Sequence, residues 1–175
     1  MFFSVFLIII VAALLSFTVA QFFNVMVRGL PPFLSTKDSI ITKAIEGVSL
    51  NSEDVVYELG CGRAKFLRSL YKKFSGTKYV GMEYSFLPYL LVRLELWLTN
   101  SRIKIIKNNF FKISLDDATL IYFYLLPEIM TRMGQKIKNE CRPGTRIISY
   151  QFSLPGLRPE KIIINKNDRL YFYQV

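Results

Sequence analysis

The chain has 175 residues, of which 51% are hydrophobic, and its formal net charge is +10 from 23 Lys and Arg against 13 Asp and Glu. It contains no histidine, which excludes a Ser-His-Asp or Cys-His nucleophile system, a histidine general base and histidine-ligated zinc. The two cysteines, Cys61 and Cys141, are too few for a disulfide framework or a four-thiolate metal site. The composition therefore favours chemistry that needs neither a metal nor an imidazole.

The first 27 residues contain no charged side chain. An apolar stretch of about 20 residues is long enough for a helix to cross a hydrocarbon core of about 30 Å. The sequence therefore predicts a transmembrane anchor over residues 1–27. A cleaved signal peptide is the alternative, because Thr18-Val19-Ala20 places small residues where a peptidase could cut. No basic residue precedes the apolar run, which favours the anchor.

Basic residues follow the apolar segment, starting with Arg28 and Lys37, and none precedes it. The positive-inside rule therefore predicts a single-pass membrane protein whose C-terminal domain is cytoplasmic. Gly29-Leu30-Pro31-Pro32 is expected to end the helix, because proline cannot continue it. We interpret residues 28–37 as a linker and residues 38–175 as one domain.

The domain alternates between strand-like and helix-like patterns. Ser35, Thr36 and Asp38 offer capping side chains for its first helix. Strands that alternate with helices imply a parallel sheet covered on both faces, while the turn-rich residues 165–168 predict an antiparallel hairpin at the C-terminus. In chain order, the predicted elements are a helix over 40–48, a strand over 54–59, a helix over 66–74, a strand over 78–82, a helix over 87–98, strands over 103–107 and 119–124, a helix over 127–139, and strands over 145–150, 161–164 and 170–173.

A glycine turn separates the first strand from its helix, in the sequence Glu58-Leu59-Gly60-Cys61-Gly62-Arg63-Ala64. Glycines at this point let the backbone turn sharply and approach a ligand, and the following helix would present free N–H groups. An ordinary strand-to-helix turn is the alternative. Glu83 ends the second strand about 20 residues later, where a carboxylate can accept two ribose hydroxyls, so the two features together predict a nucleotide-type site.

The pattern E-x-G-x-G-x-A resembles the first motif of class I S-adenosylmethionine-dependent methyltransferases, with Ala64 in place of the customary third glycine. The likeness extends over most of residues 35–175, including GMEYS around Glu83, the Asn109-Phe110 step and the terminal hairpin. It implies a Rossmann-like class I methyltransferase sheet and S-adenosyl-L-methionine as the cofactor.

The resemblance also implies roles for individual residues. The first-motif acid and glycines would hold the methionine end of the cofactor, Glu83 the ribose and Asn109 the adenine amino group. Asn109 replaces the usual Asp, but its amide oxygen can still accept that hydrogen bond. The cofactor-binding set implied is Glu58, Gly60, Cys61, Gly62, Glu83, Tyr84, Asn109 and Phe110.

Within this class the chain is most similar to small membrane-anchored lysine methyltransferases related to those that modify the ATP synthase c-subunit and the adenine nucleotide translocator. The apolar N-terminus, Pro32-Phe33-Leu34-Ser35 and Phe152-Ser153-Leu154-Pro155 carry this similarity. It implies a protein substrate, including one in a membrane. The spacing between the acid and the proline in GMEYSFLPYLL departs from that of the eukaryotic members. The resemblance therefore does not imply which particular substrate this chain modifies.

Methyl transfer from a sulfonium is an in-line displacement that depends on positioning and needs no metal. A lysine acceptor must lose its proton, which an apolar, aromatic-walled pocket favours. Tyr122 and Tyr124 lie at the end of the fourth strand and share one face by alternation, so they are the candidates for positioning substrate and methyl group. Core packing of a buried strand is the alternative for both. No catalytic base can be assigned.

Two other functions remain open at this stage: a methyltransferase for a lipid or small amphiphile, and a non-catalytic membrane-tethered binding module. The basic residues could face anionic lipid headgroups or an acidic partner, or could form a solvated surface; nucleic-acid binding is disfavoured because no binding module is recognised. These residues are Lys72, Lys73, Lys78, Arg102, Lys104, Lys107, Lys136 and Lys138.

Overall fold

A computed structural model describes residues 2–28 and 35–175. The apolar N-terminal segment is a helix, α1 (Phe2–Arg28), and residues 35–175 form a separate compact unit. Within the described ranges, no helix combines the length and apolar character needed to cross a membrane, and the predicted transmembrane helix is not confirmed. The predicted Gly29–Pro32 helix end and most of the Pro32–Ser35 motif lie outside the described residues.

The second unit is built on a seven-stranded sheet with the strand order β3-β2-β1-β4-β5-β7-β6. The first five strands are parallel, and β7 pairs antiparallel with both β5 and β6. The predicted α/β sheet with its terminal hairpin is therefore confirmed. The strands are β1 (Val55–Leu59), β2 (Lys78–Glu83), β3 (Lys104–Lys107), β4 (Leu120–Phe123), β5 (Arg146–Tyr150), β6 (Lys161–Asn165) and β7 (Asp168–Gln174).

Helices cover both faces of the sheet. One face packs against α2 (Asp38–Ile45), α3 (Lys65–Lys73) and α4 (Phe86–Leu98), and the other against α5 (Met130–Glu140). A short 3-10 turn, Pro127–Ile129, precedes α5 and takes up the start of the predicted 127–139 helix. The predicted capping of α2 is wrong: Lys37 is its N-cap residue and no side chain caps it.

The strand β4 shows how alternation divides the core. Leu120 and Tyr122 pack on the α2–α3 face, while Ile121 and Phe123 pack on the α5 face. The shared face predicted for Tyr122 and Tyr124 is confirmed, because Tyr124 also packs against the α2–α3 side.

Lys136 does not belong to the predicted basic surface. Its side chain is buried and its ammonium group lies 2.6 Å from the Glu140 carboxylate, one helical turn further along α5. A charged side chain is buried only when it is paired. Lys136 is therefore a structural residue and does not contribute to a surface for lipids or partners.

The strand order places a topological switch point between β1 and β4, from which the chain winds outward in both directions. Ligands of open α/β sheets bind at such a point, beyond the carboxyl ends of the strands. Leu59 of β1 is in register with Met82 of β2 and with Phe123 of β4. The residues that follow, Gly60, Glu83 and Tyr124, consequently stand side by side at this edge.

Candidate active site

The turn after β1 has three left-handed residues at alternate positions, Gly60 (φ +67°), Gly62 (φ +51°) and Ala64 (φ +51°). Non-glycine residues rarely adopt this conformation, so the two glycines fit their positions and Ala64 is strained. A β-carbon at Gly60 would lie 3.3 Å from a methyl group of Leu125 in the loop after β4. The first glycine thus allows two loops to meet at the switch point.

Cys61 lies inside this turn with its side chain turned inward. Its backbone N–H donates to the carbonyl of Met82 at 2.9 Å, which joins the turn to β2. A β-carbon at Gly81 would lie 2.8 Å from the Cys61 sulfur, so glycine there makes room for it. Burial raises the pKa of the Cys61 thiol, which keeps it protonated at neutral pH. Only the backbone of Cys61 is therefore available for the predicted cofactor contact.

Glu83 connects the glycine turn to α4. One carboxylate oxygen accepts the N–H of Gly62 at 2.9 Å and the other accepts the N–H of Ser85 at 2.8 Å. The residue is 8% exposed. A carboxylate has about four lone-pair sites, so two acceptor sites remain for a ligand. This capacity matches the two hydroxyls of a ribose.

Glu58 is the next-to-last residue of β1 and caps α3 from outside the helix. Its carboxyl accepts the N–H of Leu67 at 3.1 Å and that of Phe66. Ala64, the N-cap residue, has no side-chain oxygen to do this. The predicted free N–H groups at this helix start are therefore partly satisfied within the protein. Burial raises the pKa of Glu58 to about 8, so the group is largely protonated at neutral pH.

The residues predicted at the adenine end lie after β3. The Asn109 side-chain oxygen accepts the N–H of Phe111 at 2.9 Å and starts the 3-10 turn Phe110–Lys112. Its amide group keeps a second lone pair and two N–H donors for a ligand. Phe110 is half-buried, and Tyr84 is exposed next to Glu83.

Tyr122 lies near the carboxyl end of β4, as predicted, but its side chain is buried. It is 1% exposed, its ring stacks on Phe66 with centroids 4.1 Å apart, and its hydroxyl shares a hydrogen bond with Thr36 at 2.9 Å. Burial raises the pKa of its phenol further above neutrality. Tyr122 is therefore enclosed in the core, as the core-packing alternative expects, and its role in positioning substrate and methyl group stays a prediction.

Tyr124 stays at the edge of the site and packs on Tyr150, with ring centroids 4.5 Å apart. The Tyr150 hydroxyl donates to Asp168 at 2.6 Å, and the Lys37 ammonium donates to both oxygens of the same carboxylate. Tyr150 and Lys37 hold the pKa of Asp168 below its usual range. Sequence reasoning missed this cluster. The sequence held one signal for this cluster: Tyr150 ends β5, and β5 pairs with β7, the hairpin strand that begins at Asp168.

The Phe152–Pro155 stretch follows β5, at the same carboxyl end of the parallel strands, and hydrogen bonds fix it on both sides. Ser149 donates its hydroxyl proton to the Phe152 carbonyl at 2.6 Å, and the N–H of Leu154 donates to the Tyr173 hydroxyl at 2.8 Å. A β-carbon at Gly134 of α5 would lie 2.9 Å from the Pro155 carbonyl oxygen. The absence of a side chain at Gly134 thus lets this stretch lie directly on α5.

The strand order, the left-handed glycine turn and the spare acceptor sites of Glu83 fit S-adenosylmethionine, and they define a class I methyltransferase. Comparison with protein families agrees with this class. Residues 58–161 match the family model described as the ANTKMT methyltransferase domain, and the chain belongs to this family.

Two curated relatives carry more specific names. The chain is 29% identical over 150 residues to a protein-lysine N-methyltransferase of Saccharolobus islandicus (strain REY15A), covering 82% of this chain and 93% of that protein. It is 28% identical over 98 residues to the adenine nucleotide translocase lysine N-methyltransferase of Mus musculus, covering 54% of this chain and 43% of that protein.

Solved structures show the fold. An RNA methyltransferase from Salinibacter ruber, in complex with S-adenosyl-L-homocysteine, superposes with a TM-score of 0.76 at 19% identity, covering 81% of this chain and 94% of that one. A precorrin-6y C5,15-methyltransferase from Geobacter metallireducens GS-15 gives a TM-score of 0.66 at 10% identity, covering 83% and 91%. Their names point to different acceptors, so these similarities do not specify one for this chain.

S-adenosylmethionine supplies an electrophilic methyl group on a sulfonium, and the chain's own residues bind and align the reactants. The spare acceptor sites of Glu83 suit hydroxyl groups, and Gly60 and Gly62 let the backbone come close to a ligand. Tyr124 is half-buried, packs on the buried ring of Tyr150 and forms an aromatic wall at the carboxyl end of β4. An in-line displacement can gain most of its acceleration from such positioning.

Proposed function

We propose that this methyltransferase transfers methyl groups to a lysine side chain of a protein. The observation that carries the proposal is the similarity to the Saccharolobus protein-lysine N-methyltransferase, which extends over 93% of that protein. The aligned region therefore includes nearly all the residues with which that relative could bind its acceptor.

The aromatic pair Tyr124 and Tyr150 supports a lysine acceptor. Aromatic faces attract an ammonium group within about 6 Å, and an apolar wall also lowers the pKa of an amine by destabilising its charged form. Asp168 is held by Tyr150 and Lys37, so this carboxylate is already neutralised within the protein. A lysine at this wall would therefore find no free carboxylate in this cluster to stabilise its ammonium form.

The activity can be tested with S-adenosylmethionine carrying a labelled methyl group and membrane and soluble extracts from cells that lack the gene. We expect label in protein, on lysine residues identified by mass spectrometry. Tyr124→Ala should reduce the rate about 10- to 100-fold, because the acceptor loses its positioning wall. Phe172→Ala, on the hairpin and outside the site, is the matched aromatic control. Label confined to the lipid fraction would contradict a protein acceptor.

We further propose that the enzyme is attached to a membrane through its N-terminal segment, with the catalytic unit on the cytoplasmic side. The support is the lack of any charged side chain in residues 1–27 and the basic residues, starting with Arg28, that follow them. Attachment would bring the catalytic unit close to membrane-protein substrates, and this makes a lysine of a membrane protein our preferred acceptor.

Ile9→Arg together with Leu14→Arg should move the full-length protein from the membrane fraction to the soluble fraction. Each arginine in an apolar layer costs about 3 kcal/mol at its centre. Fractionation followed by immunoblotting measures the shift, and protease protection of a C-terminal tag in sealed vesicles tests the cytoplasmic side. The matched control is Ile9→Leu with Leu14→Ile. Unchanged fractionation of the arginine variant would contradict attachment through this segment.

A further inference from the structure

The surface of α4 is unusually apolar. Ten large hydrophobic side chains are exposed in residues 35–175, and eight of them lie between Tyr84 and Leu98. Soluble monomers rarely expose a contiguous apolar patch of more than a few hundred Å², and larger patches mark interaction sites. The eight residues, here called the α4 stripe, are Tyr84, Phe86, Leu87, Leu90, Leu91, Leu94, Trp97 and Leu98.

Helical spacing joins these side chains into one surface. At about 100° per residue, the seven members within the helix cover an arc of about 140°, and Val92 and Leu96 lie on the opposite side. Val92 and Leu96 are fully or nearly fully buried against the sheet. The helix therefore uses its other face for the core and leaves the stripe without a partner within the described residues.

The charges around the stripe are predominantly positive. Residues 84–107 contain four basic side chains and one acidic side chain, Glu95. Glu95 is paired with Arg63 and Arg68. The Lys107 ammonium lies 4.6 Å from the Phe86 ring centre, at one end of the stripe. The four basic residues, Arg93, Arg102, Lys104 and Lys107, are all exposed.

We infer that the α4 stripe is a second membrane contact, which lies in the interface of an anionic lipid bilayer. An interfacial helix combines an apolar face with Lys and Arg at its borders, and Trp and Tyr favour the level of the headgroups. A second copy of this chain fits less well, because a symmetric contact would bring the same basic border and the same net charge of +10 together. The inference is independent of the methyl acceptor and goes beyond attachment by residues 1–27.

The single tryptophan of the chain, Trp97, reports directly on this contact. It is 75% exposed at the end of the stripe. The full-length protein is added to phosphatidylcholine vesicles with and without phosphatidylglycerol. We expect a blue shift of Trp97 emission, quenching by lipids brominated near the headgroup, and protection from aqueous acrylamide. Each effect should be stronger with phosphatidylglycerol, and Arg93→Gln should reduce that difference.

Leu94→Glu should reduce lipid quenching of Trp97 several-fold, because a carboxylate is placed in the apolar layer. The matched control is Ile164→Glu on β6, at the opposite edge of the sheet, where Ile164 is 68% exposed and Leu94 is 53% exposed. Both variants should still sediment with vesicles, which separates this contact from attachment by the N-terminal segment.

Three results would overturn the inference. The first is full acrylamide access to Trp97 in protein that sediments with vesicles, and the second is the absence of any vesicle association by the full chain. The third is protection of Trp97 from both acrylamide and brominated lipid, since the stripe would then be covered by protein.

Discussion

Glu83→Ala is expected to abolish measurable S-adenosylmethionine binding. Glu83 offers its remaining acceptor sites to a ligand from a fixed position, because the N–H groups of Gly62 and Ser85 already orient its carboxylate. Each hydrogen bond to a charged acceptor contributes about 1.5–3 kcal/mol, so the loss of two corresponds to at least about a 100-fold weaker affinity. Isothermal titration calorimetry with S-adenosylmethionine or S-adenosylhomocysteine measures the change.

The variant also removes the acceptors of two backbone N–H groups, and this destabilises the glycine turn. A control must therefore lose a pair of side-chain hydrogen bonds away from the site. Asp117→Asn is suitable, because Asp117 precedes β4 at the amino-terminal end of the parallel strands, opposite the site. It accepts hydrogen bonds from Tyr57 and Lys78. We expect Asp117→Asn to lower the melting temperature without changing the affinity. Unchanged affinity in Glu83→Ala would show that Glu83 does not bind the cofactor.

The parts of the site that are local in sequence could be predicted from it. The first strand, the glycine turn and the following helix span residues 55–73 and depend on neighbouring residues. Glu83 could be placed because it ends the strand next to β1. The alternation of β4 correctly gave Tyr122 and Tyr124 a common face, because side-chain direction in a strand has a fixed period.

Alternation does not show how deeply a face is covered, so it could not show that Tyr122 is enclosed in the core. Thr36 meets Tyr122 across 86 residues of chain, and Lys37 meets Asp168 across 131. Such contacts arise from the packing of the segment before α2 against β4 and β7. No local pattern contains them. The aromatic and charged cluster around Tyr150 was missed for the same reason.

Glu58 shows a different limit of sequence-based prediction. The motif identified this glutamate as a site residue but did not show that its carboxyl group is protonated. A glutamate at the end of a strand is normally ionised at neutral pH. Here the side chain is enclosed between β1 and the start of α3, and loss of solvent outweighs the hydrogen bonds that it accepts from Leu67 and Phe66. Its raised pKa has a direct consequence for stability.

Glu58→Gln is expected to remove a large pH dependence of folding stability. The pKa of Glu58 rises from 4.5 to about 8 on folding. Between these values the folded protein holds a proton that the unfolded chain has lost, so the free energy of unfolding falls as pH rises through this window. A shift of this size corresponds to a loss on the order of 5 kcal/mol between pH 4.5 and pH 8. Glutamine imitates the protonated carboxyl and can still accept the N–H of Leu67.

Urea unfolding of the cofactor-free protein across this pH range, followed by circular dichroism, measures the difference. We expect the free energy of unfolding of the wild type to decline relative to that of Glu58→Gln, with the two values closest near pH 4.5. The chain has no histidine, whose titration would otherwise fall in the same window. Glu53→Gln, on the exposed turn before β1, makes the same chemical change at the surface and should follow the wild type. Parallel curves for the wild type and Glu58→Gln would mean that Glu58 is ionised in the folded protein.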